Sequence, residues 1–283
     1  MYEFCYIMKK ERAFFMRAAI MQVPYPVEGE ALKCLEWQIE ELKKIEKDSV
    51  DLVVFPENAN CTGYLDLADM KNLIIGEGEK FVEEIRRTVK RANCTVVSGL
   101  MTIDGNGVLR NQLVVFTADG REFAPYTKVH LVEPEIAKGI VAGEGAEVFE
   151  LDGIRYGAAI CFDYYFPELF VDYAKKRIDV MIIVSHQRQE RPEILDFVTR
   201  ARAFDCGCTL LRCAPAMYTE NVGGKSMAVA PDGKVIADAG GKPGVLYCEF
   251  DPKARFMRAA SFGEPDKIGD YRETLMLSRS HFE

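Results

Sequence analysis

The stretch Tyr156-Gly157-Ala158-Ala159-Ile160-Cys161-Phe162-Asp163 decides how this chain is organised. An apolar run of small residues ends abruptly at a cysteine. Tyr164-Tyr165-Phe166-Pro167-Glu168-Leu169 then carries the chain through a short polar-aromatic turn into a helix expected over 166–176. A cysteine where a buried strand gives way to a turn is well placed for a nucleophile. Its backbone is rigid, its sulfur stands at the strand's carboxyl end, and nearby amides can face a bound oxyanion. A lone cysteine after a strand is more often a small buried hydrophobe. Cys161 therefore gains weight as a nucleophile only from what the rest of the chain supplies.

Outward from that stretch, the pattern alternates strands and helices. Residues 17–23 form an apolar segment closed by Pro24 and Pro26, and 30–47 carry Leu32, Leu35, Ile39, Leu42 and Ile45 at helical spacing. A short apolar strand at 51–55 ends at Pro56-Glu57-Asn58, and 78–91 predicts a second amphipathic helix. Strands at 95–101 and 111–117 flank the turn Asp104-Gly105-Asn106-Gly107. A mixed segment at 121–129 leads to Lys128, and 133–145 is expected to be a loop. Asp152-Gly153 joins a hairpin of 147–151 and 154–161. After the 166–176 helix come a buried strand at 179–185, a helix at 190–204 and a strand at 208–213. Strands at 226–230 and 234–238 flank Pro231-Asp232-Gly233, and 244–250 is the last strand.

The strand-helix-strand-helix order occurs twice, and strands such as 52–55 and 180–184 are apolar throughout, which requires burial on both faces. These features predict an α/β layered sandwich. No Pro/Gly/Ser-rich linker divides the chain. The expectation is a single domain over 1–283 with internal pseudo-repetition, an N-terminal extension at 1–15 and a C-terminal arm at 251–283.

Composition excludes several functional classes. The 283 residues are 48% hydrophobic and 28% charged, as expected of a globular chain rather than a disordered one. A net charge of -8, with no Lys/Arg cluster interleaved with aromatics, argues against a nucleic-acid partner. No apolar run approaches the roughly 18–20 residues that span a bilayer, and the basic residues of the start follow its apolar ones, unlike a secretory signal. Nine cysteines, an odd count without such a signal, suggest reduced thiols in a cytoplasm. Cys206, Cys208 and Cys213 lack a CxxC pair or a nearby histidine, and the three histidines are not spaced as metal ligands, so no metal or other cofactor is expected. Gly224-Lys225-Ser226 lacks the upstream glycine of a phosphate loop, Thr219 standing there, and Gly76-Glu77-Gly78 lacks the third glycine of a dinucleotide fingerprint. There is no GxSxG elbow.

Three polar residues stand at the ends of apolar strands: Glu57, Lys128 and Cys161. A carboxylate just beyond a buried strand is expected to have its pKa raised by desolvation, which suits a general base near neutral pH. Each residue alone has an ordinary explanation, a capping or surface glutamate and a surface lysine. Together they make a workable machine. The thiolate attacks a carbonyl carbon, the carboxylate takes the thiol proton and later gives it to a leaving amine, and the ammonium holds the oxyanion.

These three motifs, in this order, resemble those of the nitrilase superfamily, carbon-nitrogen hydrolases with a Glu-Lys-Cys triad. Phe55-Pro56-Glu57 with Gly63-Tyr64 is similar to the family's glutamate motif, Tyr126-Thr127-Lys128-Val129-His130-Leu131 to its lysine motif, and residues 157–169 to its cysteine motif. Arg200-Ala201-Arg202-Ala203, Gly224-Lys225-Ser226 and Pro231-Asp232-Gly233 also fit, so the resemblance runs from about 17 to 250. It implies a four-layer αββα sandwich, homodimers or higher oligomers, and a covalent thioester mechanism without metal or cofactor. It also implies a second glutamate after the lysine, for which Glu135 is the candidate and Glu133 its rival. The sequence Cys161-Phe162-Asp163 is closer to the amidase and carbamoylase branches than to nitrilases, which implies a small-molecule amide or N-carbamoyl substrate rather than a nitrile. Phe162 would lend its backbone N–H to the oxyanion hole, and Asp163 would cap the following helix or hydrogen-bond locally, capping being preferred. The pocket would be lined by His186, Gln187 or Arg188, where an arginine is the natural partner of a carboxylate, and by Tyr64, Tyr164 or Tyr165. Arg255, Arg258 and Phe262 in the arm would be subunit contacts. A non-catalytic binding protein, or an acyl-transferring member, on the same fold is the alternative.

Overall fold

Strands that are apolar at every position need cover on both faces, and the chain builds that cover twice. The computed structural model describes residues 15–63, 66–187, 190–219, 222–259, 268–270 and 272. The N-terminal extension and most of the C-terminal arm, Phe262 included, lie outside the described residues. The first half runs β1 (Met16–Gln22), α1 (Ala31–Lys44), β2 (Leu52–Phe55), α2 (Leu67–Ile75), α3 (Glu77–Ala92), β3 (Thr95–Ile103), β4 (Leu109–Phe116) and β5 (Glu122–Thr127). The second runs α4 (Glu133–Ala137), β6 (Phe149–Leu151), β7 (Ile154–Ile160), α5 (Pro167–Lys175), β8 (Val180–Val184), α6 (Pro192–Cys206) and β9 (Thr209–Cys213). It continues through β10 (Met217–Thr219), β11 (Val222–Gly223), β12 (Met227–Val229) and β13 (Val235–Asp238), and β14 (Gly244–Phe250) returns to the first sheet.

Two six-stranded sheets result, ordered β14-β1-β2-β3-β4-β5 and β13-β12-β9-β8-β7-β6. Each has a parallel centre, β1-β2-β3 in one and β7-β8-β9 in the other, with antiparallel strands outside it. The alternation of side chains along each central strand explains its unbroken apolar character. Leu52 and Val54 face the other sheet, where they meet the cluster of Ile160, Ile182, Val184 and Leu211. Val53 and Phe55 face the helices, against Leu35, Phe81 and Ile85 of α1 and α3. In the second sheet Met181 and Ile183 pack on Phe170 and Leu195 of α5 and α6. The layers are therefore αββα. Fully burying one Phe or Ile of this kind contributes about 1.5–3 kcal/mol, so the period-2 pattern holds the two sheets and the helices together.

The structure departs from the sequence expectation at several places, the hairpin of β10 and β11 among them. Residues 66–75 form a helix of their own, α2, capped by Asp66, whose carboxylate accepts from the Asp69 amide at 2.8 Å. Gly76 separates it from α3. The segment 133–145, expected as loop, opens with the short α4. Beyond residue 251 a small antiparallel pair forms, β15 (Met257–Ala259) with β16 (Ile268–Asp270). Arg255, expected as a subunit contact, pairs with Asp179 of its own chain, which also binds Lys253 at 2.6 Å.

Candidate active site

Glu57, Lys128 and Cys161 all come from the carboxyl ends of strands β2, β5 and β7, where the backbone leaves the sheet and polar side chains can turn inward. At β2 the crossing is tight. A Cβ on Gly99 of the neighbouring β3 would stand 2.6 Å from Glu57 Cα and 2.8 Å from the Pro56 oxygen, so only glycine fits. Ala59 then donates to the Gly99 carbonyl at 2.8 Å, and Asn58 takes a left-handed φ of 56°. Glu57 ends 3% exposed. At β5, Lys128 is pinned by its amide to Asn111 O and by its carbonyl to Gly143 N, both at 2.9 Å, and is 1% exposed.

The three motifs meet around the lysine. Lys128 Nζ lies 3.0 Å from Glu57 Oε1 and 2.8 Å from Glu135 Oε2. Glu135 is turned inward by α4 and accepts the Val132 amide at 2.9 Å, while Glu133, its rival in sequence, is exposed. Asn111 of β4, a residue the sequence reading passed over, donates from Nδ2 to Glu57 Oε1 at 2.7 Å and to Glu135 Oε1 at 2.8 Å. Its signal was present. It occupies an inward position between Leu109 and Leu113, where an asparagine needs partners.

Cys161 opens a 3-10 turn, Cys161–Tyr165, with a φ of 49°. A non-glycine residue there costs about 1 kcal/mol or more and persists only where its surroundings enforce it. Its thiol shares the cavity with Glu57 and lies close enough to that carboxylate and to the His186 backbone N–H for both to bear on its ionisation. Asp163, expected to cap the next helix, does not. α5 starts at Pro167 without a side-chain cap. The fully buried Asp163 carboxylate instead accepts from Tyr126 OH (2.7 Å), Ile160 N (3.0 Å), and His130 N and Nδ1 (both 2.8 Å). It thereby joins the lysine strand to the cysteine turn. A buried carboxylate needs several donors, and the helix end offers fewer than this junction does.

The charges of the cluster set one another. Burial alone would push the Glu57 pKa up, as the sequence reading expected. The Lys128 ammonium and hydrogen bonds from Cys161 and Lys128 outweigh it and hold the carboxyl below its ordinary value. Burial would lower the Lys128 ammonium, but Glu57 and Glu135 hold it above its ordinary range. Burial and the Glu57 charge push the Cys161 thiol up against the opposing pull of Lys128. The resting site is an ionised glutamate, a charged lysine and a neutral thiol.

A cavity of about 620 Å³ opens onto these groups. Phe162, His186, Gln187 and Tyr165 line it. Tyr164 does not. It is fully buried, and its hydroxyl donates to Leu195 O at 2.6 Å. Tyr64 and Arg188 lie outside the described residues. The sequence reading missed an apolar wall of Cys61, Met70, Met101 and Ile140, and the polar Lys138 and Glu190, whose carboxylate accepts from Tyr165 OH at 2.9 Å. Among the described residues no group of three or more His, Cys, Asp or Glu side chains is placed to hold a metal ion, and no helix is long and apolar enough to cross a membrane.

Residues 17–259 match the family model described as carbon-nitrogen hydrolase. The chain belongs to this family. The carbon-nitrogen hydrolase is 28% identical over 235 residues to the 2-oxoglutaramate amidase of Bacillus subtilis, covering 78% of this chain and 90% of that one. It is 30% identical over 155 residues to the omega-amidase NIT3 of Saccharomyces cerevisiae, half of this chain and 53% of that one. Its fold superimposes on the crystal structure of yeast Nit3, a member of branch 10 of the nitrilase superfamily, with a TM-score of 0.68 at 23% identity, covering 85% and 91% of the two chains. An amidase from Nesterenkonia sp. gives 0.73 at 20% identity, covering 95% and 97%. These relatives set the chain in the amidase-like part of the nitrilase superfamily, among hydrolases of carbon-nitrogen bonds other than peptide bonds.

Proposed function

We propose that this hydrolase cleaves a small-molecule amide or N-carbamoyl group through a thioester on Cys161. The observation that carries the reading is the Glu57 carboxylate, held 3.0 Å from the Lys128 ammonium on the same cavity wall as the Cys161 thiol. Glu57 removes the thiol proton as Sγ attacks the carbonyl carbon. Lys128, with the backbone N–H of Phe162, takes the charge that develops on the carbonyl oxygen. Glu57 returns the proton to the leaving nitrogen, and the C–N bond breaks. The same carboxylate then activates water to hydrolyse the thioester, releasing the acid and the thiol. Glu135 and Asn111 keep the lysine and the glutamate in register. The names of the relatives, 2-oxoglutaramate amidase and omega-amidase, favour a free carboxamide at the end of a short acid among the candidate substrates.

We read the chain as one domain that works in the cytoplasm as a homodimer. Phe197 is 69% exposed and Phe204 36% exposed on the outer face of α6, which supports self-association there.

The test is ammonia release from a panel of small amides, N-carbamoyl compounds and nitriles, with the native protein and Cys161→Ala side by side. Release from an amide or carbamoyl compound that vanishes in the variant is expected. Release that survives the substitution overturns the mechanism, and release from nitriles alone overturns the substrate class.

A further inference from the structure

Arg212 has no role in the chemistry above, yet it is among the largest fully buried side chains of the chain. It lies on β9, paired in register with Ile183 of β8 on one side and Met227 of β12 on the other. Among the described residues it forms no ion pair. Its Nη1 donates to the carbonyls of Gly224 and Lys225 at 2.8 and 2.7 Å. Its Nη2 donates to Gln187 Oε1 at 2.7 Å, and its guanidinium carbon sits 5.7 Å from the centre of the Tyr164 ring. A buried guanidinium held by carbonyls alone is an expensive way to fill a core, since an apolar side chain of that size costs less to bury.

The expense is explained by what Gln187 does with its other end. Nε2 of that amide donates to the carbonyl oxygen of Cys161 at 3.2 Å. A glutamine amide can be turned either way, but a guanidinium only donates, so the atom facing Arg212 must be the oxygen. Arg212 therefore fixes which end of Gln187 meets Cys161. Cys161 is the residue whose left-handed backbone needs enforcing. Tyr164, against the same guanidinium, belongs to the same turn.

We propose that Arg212 is a positioning residue that acts through Gln187: it orients the glutamine amide, which locks the Cys161 carbonyl and so aims the thiol at Glu57. The role of the aimed thiol rests on the hydrolase mechanism above, but the lock itself does not. Gln187 lines the cavity, and in this arrangement it serves the nucleophile's backbone rather than the substrate.

The experiment compares Arg212→Met, Gln187→Glu and the double variant with the native chain. Gln187→Glu keeps an acceptor for Arg212 but turns a second oxygen toward the Cys161 carbonyl. Two readouts are taken: kcat and KM for ammonia release, and the rate of Cys161 alkylation by iodoacetamide followed by mass spectrometry, with Cys248 as the internal reference. Both single variants are expected to lower kcat and Cys161 alkylation about tenfold with KM within twofold. The double variant should be no worse than either single one, because both break one relay. Additive losses, a change confined to KM, or native alkylation rates in the folded variants overturn the proposal. If Arg212→Met does not fold, Gln187→Glu alone decides by the same criteria. If the native chain releases no ammonia but alkylation still slows in the variants, the hydrolase mechanism fails and the relay stands.

Discussion

Replacing Asn111 by leucine tests the electrostatics of the site at one atom. Asn111 Nδ2 is bonded to two carboxylates, Glu57 at 2.7 Å and Glu135 at 2.8 Å, and is fully buried. A hydrogen bond to a charged group contributes about 1.5–3 kcal/mol. One pKa unit corresponds to about 1.36 kcal/mol, so losing the bond to Glu57 raises its pKa by about one to two units. The sign follows from which form the bond favours. The donor stabilises the ionised carboxylate, so its removal favours the protonated form, which cannot accept the thiol proton. The acidic limb of the kcat/KM profile, which reports the free enzyme, therefore moves upward by about one to two units while the plateau falls less. The assay is ammonia release against pH on the best substrate of the panel, with Cys161 alkylation against pH as a parallel reading. Folding is checked by circular dichroism. An acidic limb that stays within 0.3 unit, in a folded variant, would show that Asn111 does not set the charge of Glu57, and the reasoning would fail.

Lys128→Met leaves Glu57 and Glu135 buried without their cation, which costs about 3–5 kcal/mol. Glu57 then has a folded pKa above its unfolded value, so the variant should gain stability as pH falls through that raised value, the reverse of the native dependence; urea unfolding at pH 5 and 7 measures it. Gly99→Ala forces a methyl to 2.6 Å from Glu57 Cα, and a loss of kcat with a lowered melting temperature is expected; native values for both would mean that the strand crossing is loose. Asp163→Asn removes the charge that ties Tyr126 and His130 to the cysteine turn, and should slow Cys161 alkylation severalfold; an unchanged rate would show that the turn is held elsewhere. Phe197→Asp should convert a dimer to monomer in light scattering after gel filtration, and a dimer that survives would place the interface on another face.

Much of the architecture was legible because burial on two faces writes itself into a strand as unbroken apolar residues. β2 and β8 carry that mark, and so their helix cover was foreseeable. Glu57, Lys128 and Cys161 were legible as polar residues at the ends of such strands. α2 was not, because nine residues give too few turns for a period to stand out from the flanking loop, although Asp66 was a cap in plain view. Asn111 and Gly99 were hidden for another reason. Each acts on a residue far away in sequence, Glu57 lying 54 positions from Asn111, and only the pairing of β3 with β2 and β4 brings them together. Asp163 misled in the same way. Local chemistry favoured a helix cap, while the tertiary structure offered three distant donors beside the local Ile160 amide.

The arrangement of charge also explains why the thiol is neutral at rest. A cysteine beside an ammonium is ordinarily pushed toward the thiolate, and Lys128 does pull that way. Here the ammonium is already engaged by two carboxylates, at 3.0 and 2.8 Å, and one of them, Glu57, opposes ionisation of the thiol. A permanently ionised thiolate would need to be desolvated at every turnover and would leave Glu57 no proton to carry. In the proposed mechanism, keeping the proton on sulfur gives the carboxylate something to take in the first half of the reaction and to return to the leaving nitrogen in the same half. The depressed pKa of Glu57 and the raised pKa of Cys161 make the transfer uphill in the empty site. On the proposed mechanism, the charge that develops on the substrate oxygen beside Lys128 drives the transfer. In that mechanism, nucleophile activation is coupled to the presence of a carbonyl.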